Sequence, residues 1–459
     1  MALALLVLLA IFLLVGASTG RSGRSRDAYF VADRAGSPLA ISGSLLATVV
    51  GGSATIGAAG LAYQRGLTGA WWTLVGAVGL AVVGLVVASR VRAFNAYTLP
   101  DLARRMYGPR AGLAVALLTV VAWTGVVSGQ LVAAAHVLSI AGFGSTTLWT
   151  TLFTSVLVAY AVIGGQRAVI RTDVLQAVII VVGLTATLLH VVHVSGGFDV
   201  WVASMPPGAL SFPVSEAFSG SQLGVMLVLV GSVYLVGPDI YTRLLSARDE
   251  RTARVSALAA AVAVIPVSLV VAGLGISARM LAPGLAPEEA LPWLAQHALP
   301  PSVAFLLLLG LLAALMSSAD STLLGQASVL ANDVVAQLVP LTEQRVVTLA
   351  KVALVAFAAL SLLLALSFRG VIASLMFAYS IFTSGVVGPV LLGLLGGRHR
   401  PAERHALAGI CVGGLCGLLG AVPGVGVPLK AQLPLIGLGL SVLIPVVWSR
   451  AASLRPART

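Results

Sequence analysis

The sequence predicts an all-α integral membrane protein of about thirteen transmembrane helices. Three observations predict it. The 459 residues are 59% hydrophobic and only 9% charged, against roughly 25% charged residues in an ordinary soluble domain. Apolar runs of about 18 or more residues recur from end to end, each long enough to span a hydrocarbon core as a helix. The basic residues gather in the short stretches between those runs, mostly on alternate sides, as the positive-inside rule requires.

The first run, α1 (2–18), has no positive charge ahead of its apolar stretch, and Arg21, Arg24 and Arg26 follow it. A cleaved signal shows the reverse, so α1 reads as a retained helix with the N-terminus outside. Ten core helices follow: α2 (38–62), α3 (68–90), α4 (112–140), α5 (147–164), α6 (173–194), α7 (219–241), α8 (253–277), α9 (301–332), α10 (346–367) and α11 (370–396). Two more, α12 (405–422) and α13 (432–449), end the series. The expected organisation is one transmembrane unit. An extra helix at 2–18 precedes a first five-helix repeat at 38–194. A second repeat at 219–396 and a C-terminal pair at 405–449 follow.

With the N-terminus outside, only Arg65, Arg279, Arg369 and Lys430 of the 27 basic residues fall on the outer side. Arg243 is placed in an inner loop with Arg248, Arg251 and Arg254. This layout predicts a multi-pass protein of the cell membrane with a cytoplasmic C-terminus. The excess of 27 basic over 15 acidic residues reads as membrane orientation. No basic stripe with interleaved aromatics accompanies it, so no nucleic-acid partner is expected. No soluble segment of useful size and no nucleophile–base or metal-ligand constellation occurs, so the chain is not expected to be an enzyme. No obligate protein partner is evident. Cys411 and Cys416 share one apolar run and read as small buried packing residues.

In this layout α2 starts inside and α7 starts outside, which is the layout of an inverted repeat. Each of these two helices carries breakers near mid-membrane: Gly51–Gly52 in α2, and Gly231 then Gly237–Pro238 in α7. Glycine costs about 1 kcal/mol inside a helix and proline about 3. Interrupted helices at matching places in two halves are the best sequence pointer to a transport site, although membrane helices also use glycine simply for close packing.

Charge inside a bilayer is costly and usually functional. Asp320 lies in Met316-Ser317-Ser318-Ala319-Asp320-Ser321. Ser317, Asp320 and Ser321 share one helix face and together suit a hard cation such as sodium. The competing reading pairs Asp320 with an arginine and turns the serines onto their own helix. Asp173, in Arg171-Thr172-Asp173, reads either as a first-turn cap or as an ion ligand. Asp239 follows Gly237–Pro238 and is either an inner-gate group or an interfacial residue near Arg243. His136 reads as a packing histidine, and Trp71 and Trp72 as an interfacial belt.

Taken together these motifs resemble the sodium:solute symporter family, over nearly the whole chain. The resemblance is carried by Asp27-Ala28-Tyr29-Phe30-Val31-Ala32-Asp33-Arg34, by Tyr97-Thr98-Leu99-Pro100-Asp101-Leu102, and by the run from Ile163 to Gln176. Arg243-Leu244-Leu245-Ser246-Ala247-Arg248 and the Asp320 motif add to it. The resemblance implies a LeuT-type 5+5 fold and sodium-driven uptake by alternating access. It implies a common sodium site at Ala47, Val50, Ala314, Ser317 and Ser318. A second site, present in some members, would use Asp173, Ser317, Asp320 and Ser321. The sugar-carrying members have polar residues where α2 has Val49, Gly51 and Ser53, and an inner-gate tyrosine near the position of Asp239. Sugar is therefore not the expected solute.

Proximity to the breaks and polarity nominate Gly51, Ser53, Thr55, Gln130, Ser232, Tyr234 and Tyr379 as solute-facing. The expected function is sodium-coupled symport of a small polar organic solute, an amino acid or a carboxylate, with Na+ the coupling ion. Proton coupling through Asp320 on the same fold, or a transport-derived solute sensor, are the alternatives.

Overall fold

The computed structural model describes residues 10–15, 25–139, 145–365, 370–397, 400–422 and 429–453. Among them nine helical stretches are long and apolar enough to cross a membrane. Only residues 10–15 of α1 are described, and they are helical. The rest of that helix lies outside the described residues, as do Arg369, Arg398, Arg455 and Arg458.

Capping chemistry sets where several elements begin. Ser37 Oγ accepts from the Ala40 amide ahead of Pro38–Val49, the first half of α2, and Pro38 fills the first turn. Proline is tolerated there because that amide has no helical acceptor. Ser219 and Gln222 form a reciprocal capping box at the start of α7. Asp249 accepts from Thr252 to open α8, Glu250–Leu281. Each such cap is worth about 1 kcal/mol.

Both α2 and α7 are interrupted. Pro38–Val49 ends at Val50 (φ −88°, ψ 59°), and the chain resumes through a π-helical turn, Ser53–Gly57, into Ala58–Arg65. In α7 a π turn, Leu227–Gly231, precedes Ser232–Val236. Gly237 (φ −55°, ψ 126°) then separates it from Pro238–Ser246. The expected breakers are therefore the observed breaks, with Gly231 closing a π turn. Further π turns interrupt α3 at Val83–Val87, α9 at Leu330–Val335 and α11 at Thr383–Val387.

One expected boundary shifts. Helices α5 and α6 form a continuous run, Thr146–Val194, that reverses at the single residue Gly165 (φ 57°, ψ −153°). A left-handed φ favours glycine, and a Cβ here would lie 2.7 Å from the Tyr29 carbonyl oxygen. Helix α6 thus starts at Gln166, not near 173, and Asp173 lies two turns inside it. The first-turn cap expected for Asp173 does not exist.

Helix α9 (Pro301–Val329) is the axis of the molecule. Every residue from Gly310 to Val329 is buried, as befits a helix packed on all faces. It runs along α6 and α4, Pro109–Leu138, and touches α2 and α10, Glu343–Ala365. Helices α12 (Glu403–Ala421) and α13 (Leu433–Ser453) pack on each other and against α11. Cys411 is exposed and Cys416 half-buried on α12, which corrects their reading as core residues. Trp72 is buried, and the Trp71 indole donates to the Pro213 carbonyl at 2.9 Å while its ring stacks on Phe212. Trp71 thus ties a loop to the bundle, and Trp72 is a core residue and not part of an exposed belt.

One end of the bundle is tied through its polar groups. Arg26 donates to Asn332 at 2.8 Å and lies over the Tyr97 ring. The Tyr97 hydroxyl donates to Asp27, and Arg34 reaches the Leu245 and Ala96 carbonyls. Arg167 pairs with Asp33. Burial pushes the Asp101 carboxyl up, but hydrogen bonds from Arg104, Arg105 and the Tyr97 amide outweigh it and hold it below the usual carboxylate range. The segment ahead of α2 is thereby joined to the ends of α3, α7 and α9.

Candidate functional site

The site forms where the break in α2 meets α9. The helix interruption releases carbonyl groups from their normal i+4 amides, and α9 supplies hydroxyls to them. Ser317 Oγ donates to the Ala47 carbonyl at 2.7 Å and to Ala314 at 3.1 Å. Ser318 Oγ donates to the Thr48 carbonyl at 2.8 Å. The Gly52 amide turns instead to Gln130 Oε1 at 2.8 Å. The approach is close enough to require glycine: a Cβ on Gly51 would lie 2.8 Å from Ser318 Cβ, and one on Gly52 2.5 Å from a Leu315 methyl. Ala47, Val50, Ala314, Ser317 and Ser318 are all buried. A knot of carbonyl and hydroxyl oxygens at an unwound helix is the donor set that suits a hard cation.

The second expected cation position is brought together as well, but around a side chain that sequence reasoning put elsewhere. Arg243 is fully buried, not in an inner loop. Its Nη2 donates to Asp173 Oδ2 at 2.9 Å and to the Ser321 hydroxyl, and its Nε to Ser44 Oγ at 3.0 Å. Ser44 also donates to Asp173 Oδ2. The guanidinium thus stands between two of the four expected ligands, Asp173 and Ser321. Asp320 lies outside this ion pair, so the arginine reading applies to Asp173 instead. The Asp320 carboxylate accepts from the Tyr160 hydroxyl and from Ser321 at 2.9 Å, both neutral donors. Asp173 Oδ1 is buried without a hydrogen-bond partner, an acceptor available to a further cation or proton.

The expected solute-facing residues surround the break unevenly. Gln130 touches both break glycines. Thr55 is spent on the Gly51 carbonyl at 2.9 Å, and Ser53 is buried in the π turn. Tyr234 packs its ring against Gly76 of α3. Tyr379 lies within electrostatic reach of Tyr234 and Asp239, and Ser232 Oγ is buried without a partner. Asp239 is half-buried at the start of Pro238–Ser246. Its carbonyl, not its carboxylate, accepts from Arg243 at 3.0 Å. His136 is not a plain packing residue: its Nε2 lies 3.3 Å from Glu288, which also accepts from the Val371 amide.

Ser44, Tyr160 and Arg243 were missed as site residues. Ser44 has a sequence signal, lying three residues before Ala47 on the same face of α2. Arg243 has none beyond a motif that also fits a loop. Ser128 Oγ and Trp123 Nε1, both buried on α4, are further donors without hydrogen-bond partners among the described residues.

Comparison with known proteins bears on this arrangement. The family model described as the sodium:solute symporter family matches residues 29–413. The sodium/pantothenate symporter of Escherichia coli (strain K12) is 26% identical over 419 residues, covering 86% of this chain and 84% of the relative. The high-affinity proline transporter PutP of Bacillus subtilis (strain 168) is 27% identical, covering 92% of both. A solved Na+-coupled sialic acid symporter, in a substrate-bound outward-open state, superposes with a TM-score of 0.82. It covers 98% of this chain and 97% of its own at 17% identity. That likeness shows the fold: two five-helix repeats of opposite orientation in a LeuT-type arrangement.

Proposed function

Because this chain belongs to the sodium:solute symporter family, we propose that it couples sodium entry to uptake of a small polar organic solute through the broken helices α2 and α7. Sodium-coupled symport of small solutes is the work of the family. Sodium binds the Ala47, Val50 and Ala314 carbonyls with the Ser317 and Ser318 hydroxyls. The observation that carries this is the pair of hydroxyl bonds from α9 to the Ala47 and Thr48 carbonyls at the break. A bound ion replaces those bonds and fixes α2 against α9. Sodium can shift the outward–inward equilibrium only by binding one state more tightly, and a site shared between two helices that move apart has that property.

The solute sits beside the break, against Gly51, Ser53, Thr55, Gln130, Ser232, Tyr234 and Tyr379, with Asp239 toward the inner gate. The N-terminus lies outside and the C-terminus in the cytoplasm. The relatives carry a carboxylate (pantothenate) and an amino acid (proline) by their names, which supports those two classes here. Ser318→Ala removes one sodium ligand. It is expected to raise the half-saturating sodium concentration of uptake into proteoliposomes about tenfold, which corresponds to about 1.4 kcal/mol for the lost oxygen ligand. An unchanged sodium curve would overturn the site.

A second reading gives Asp320 a proton to carry. It is favoured by one observation: Arg243 is spent on Asp173, and the Asp320 carboxylate is bonded only to neutral hydroxyls. Uptake driven by an imposed pH gradient without sodium, abolished in Asp320→Asn, is its expected signature. Uptake that follows sodium alone removes it.

A further inference from the structure

We propose that a cavity above the break, floored by Arg65, is an entry subsite for the carboxylate of an anionic solute. Arg65 closes Ala58–Arg65, the second half of α2. The cavity has a volume of about 310 Å³ and is lined by Arg65, Trp72, Phe218, Gln222, Val230 and Met376 among others. That volume suits a small organic molecule. Its walls include residues next to the central site in sequence. Val230 lies two residues before Ser232 on α7, and Met376 one turn before Tyr379 on α11. Arg65 lies thirteen positions after Gly52, about 20 Å along a helix, so this is an approach to the central site and not the site itself.

Arg65 is unusual in having donors and no acceptor. Its Nε and Nη2 are buried and have no hydrogen-bond partner among the described residues. Its guanidinium lies 4.1 Å from the centre of the Phe218 ring, which holds the plane of the fork. Phe218 is itself fixed by a backbone bridge with Ser215, at 2.9 and 3.1 Å. A planar guanidinium with two free donors is built to take both oxygens of one carboxylate. A second, more polar cavity of about 370 Å³ lies on the other side of Arg65 and includes Arg279 and Glu216. Glu216 is exposed and forms no ion pair with Arg65. Arg279 donates to the Gln64 carbonyl at 3.1 Å and adds a second positive charge beside the mouth.

This inference rests on the symporter reading and narrows it. The solute is an organic anion or carries an exposed carboxylate, as opposed to a cation such as a quaternary amine. A field set by Arg65 and Arg279 raises its local concentration before the central site is reached.

The test is a thermal-shift titration of the purified full-length protein in NaCl and in KCl. The probes are pantothenate and lactate as organic anions, proline as a zwitterion, choline as a cation, and inorganic phosphate. An organic anion is expected to stabilise the wild type, with choline and phosphate giving no shift. Arg65→Gln should raise its half-saturating concentration at least tenfold, and Arg65→Lys by less. The stabilisation by sodium alone should be unchanged in both variants. No shift with pantothenate, lactate or proline, an equal shift with choline or phosphate, or equal affinity of the stabilising carboxylate in Arg65→Gln overturns the subsite. Anion shifts of the same size in KCl and NaCl leave the subsite standing and count against sodium coupling.

Discussion

The buried pair of Arg243 and Asp173 decides most at the scale of single residues. Both side chains are fully buried and 2.9 Å apart. Removing one partner of such a pair leaves an uncompensated charge and costs about 3–5 kcal/mol, whereas removing both together costs far less. Asp173→Asn and Arg243→Gln are each expected to lower the melting temperature sharply in detergent. The double variant should recover most of the loss. If the single variants melt like the wild type, the pair is not the buried tie described above. Sequence reasoning saw Asp173 as either a cap or a ligand because its partner is 70 residues away in the chain. No local pattern links the two. Asp320 was legible because an acid in an apolar run stands out on its own, and its arginine-pairing alternative failed because Tyr160 and Ser321 reach it instead.

At the scale of elements, the breaks in α2 and α7 were readable because glycine and proline act locally on the backbone. The start of α6 was not. Arg167 and Arg171 look like a charged loop ahead of a helix opened by Asp173, and the helix break is made by Gly165. Arg171 does face out and Arg167 pairs with Asp33 at a partly exposed site, whereas Asp173 turns inward to Arg243. Gly165→Ala is expected to destabilise the protein by about 1–3 kcal/mol. It adds a Cβ at a left-handed φ and against Tyr29, 2.7 Å from that residue's carbonyl oxygen. Gly224→Ala, in the first segment of α7, meets nothing within 4 Å and should be tolerated. Equal melting of the two variants would contradict the role given to Gly165.

For the whole molecule, the contacts around Arg26, Arg34 and Tyr97 close one end of the bundle, the end expected to face the cytoplasm. Opening there has to break them. Tyr97→Phe removes the solvent-exposed bond to Asp27, worth about 0.5–1 kcal/mol. The inward-open population is expected to rise about two- to fivefold. A Ser232→Cys reporter, in a background lacking Cys411 and Cys416, should then react faster with a thiol reagent applied from that side. Identical rates would show that these contacts do not govern opening.

Burying a guanidinium this deeply also constrains how the chain is made. An arginine in an apolar helix costs about 2.5–3.5 kcal/mol on insertion at its middle and less toward its end, and the last turn of Pro238–Ser246 carries one. Ser44 and Asp173 precede it and can receive it at once, but Ser321 is translated 78 residues later. During biogenesis that half-helix rests on an incomplete cradle, and only the arrival of α9 closes it.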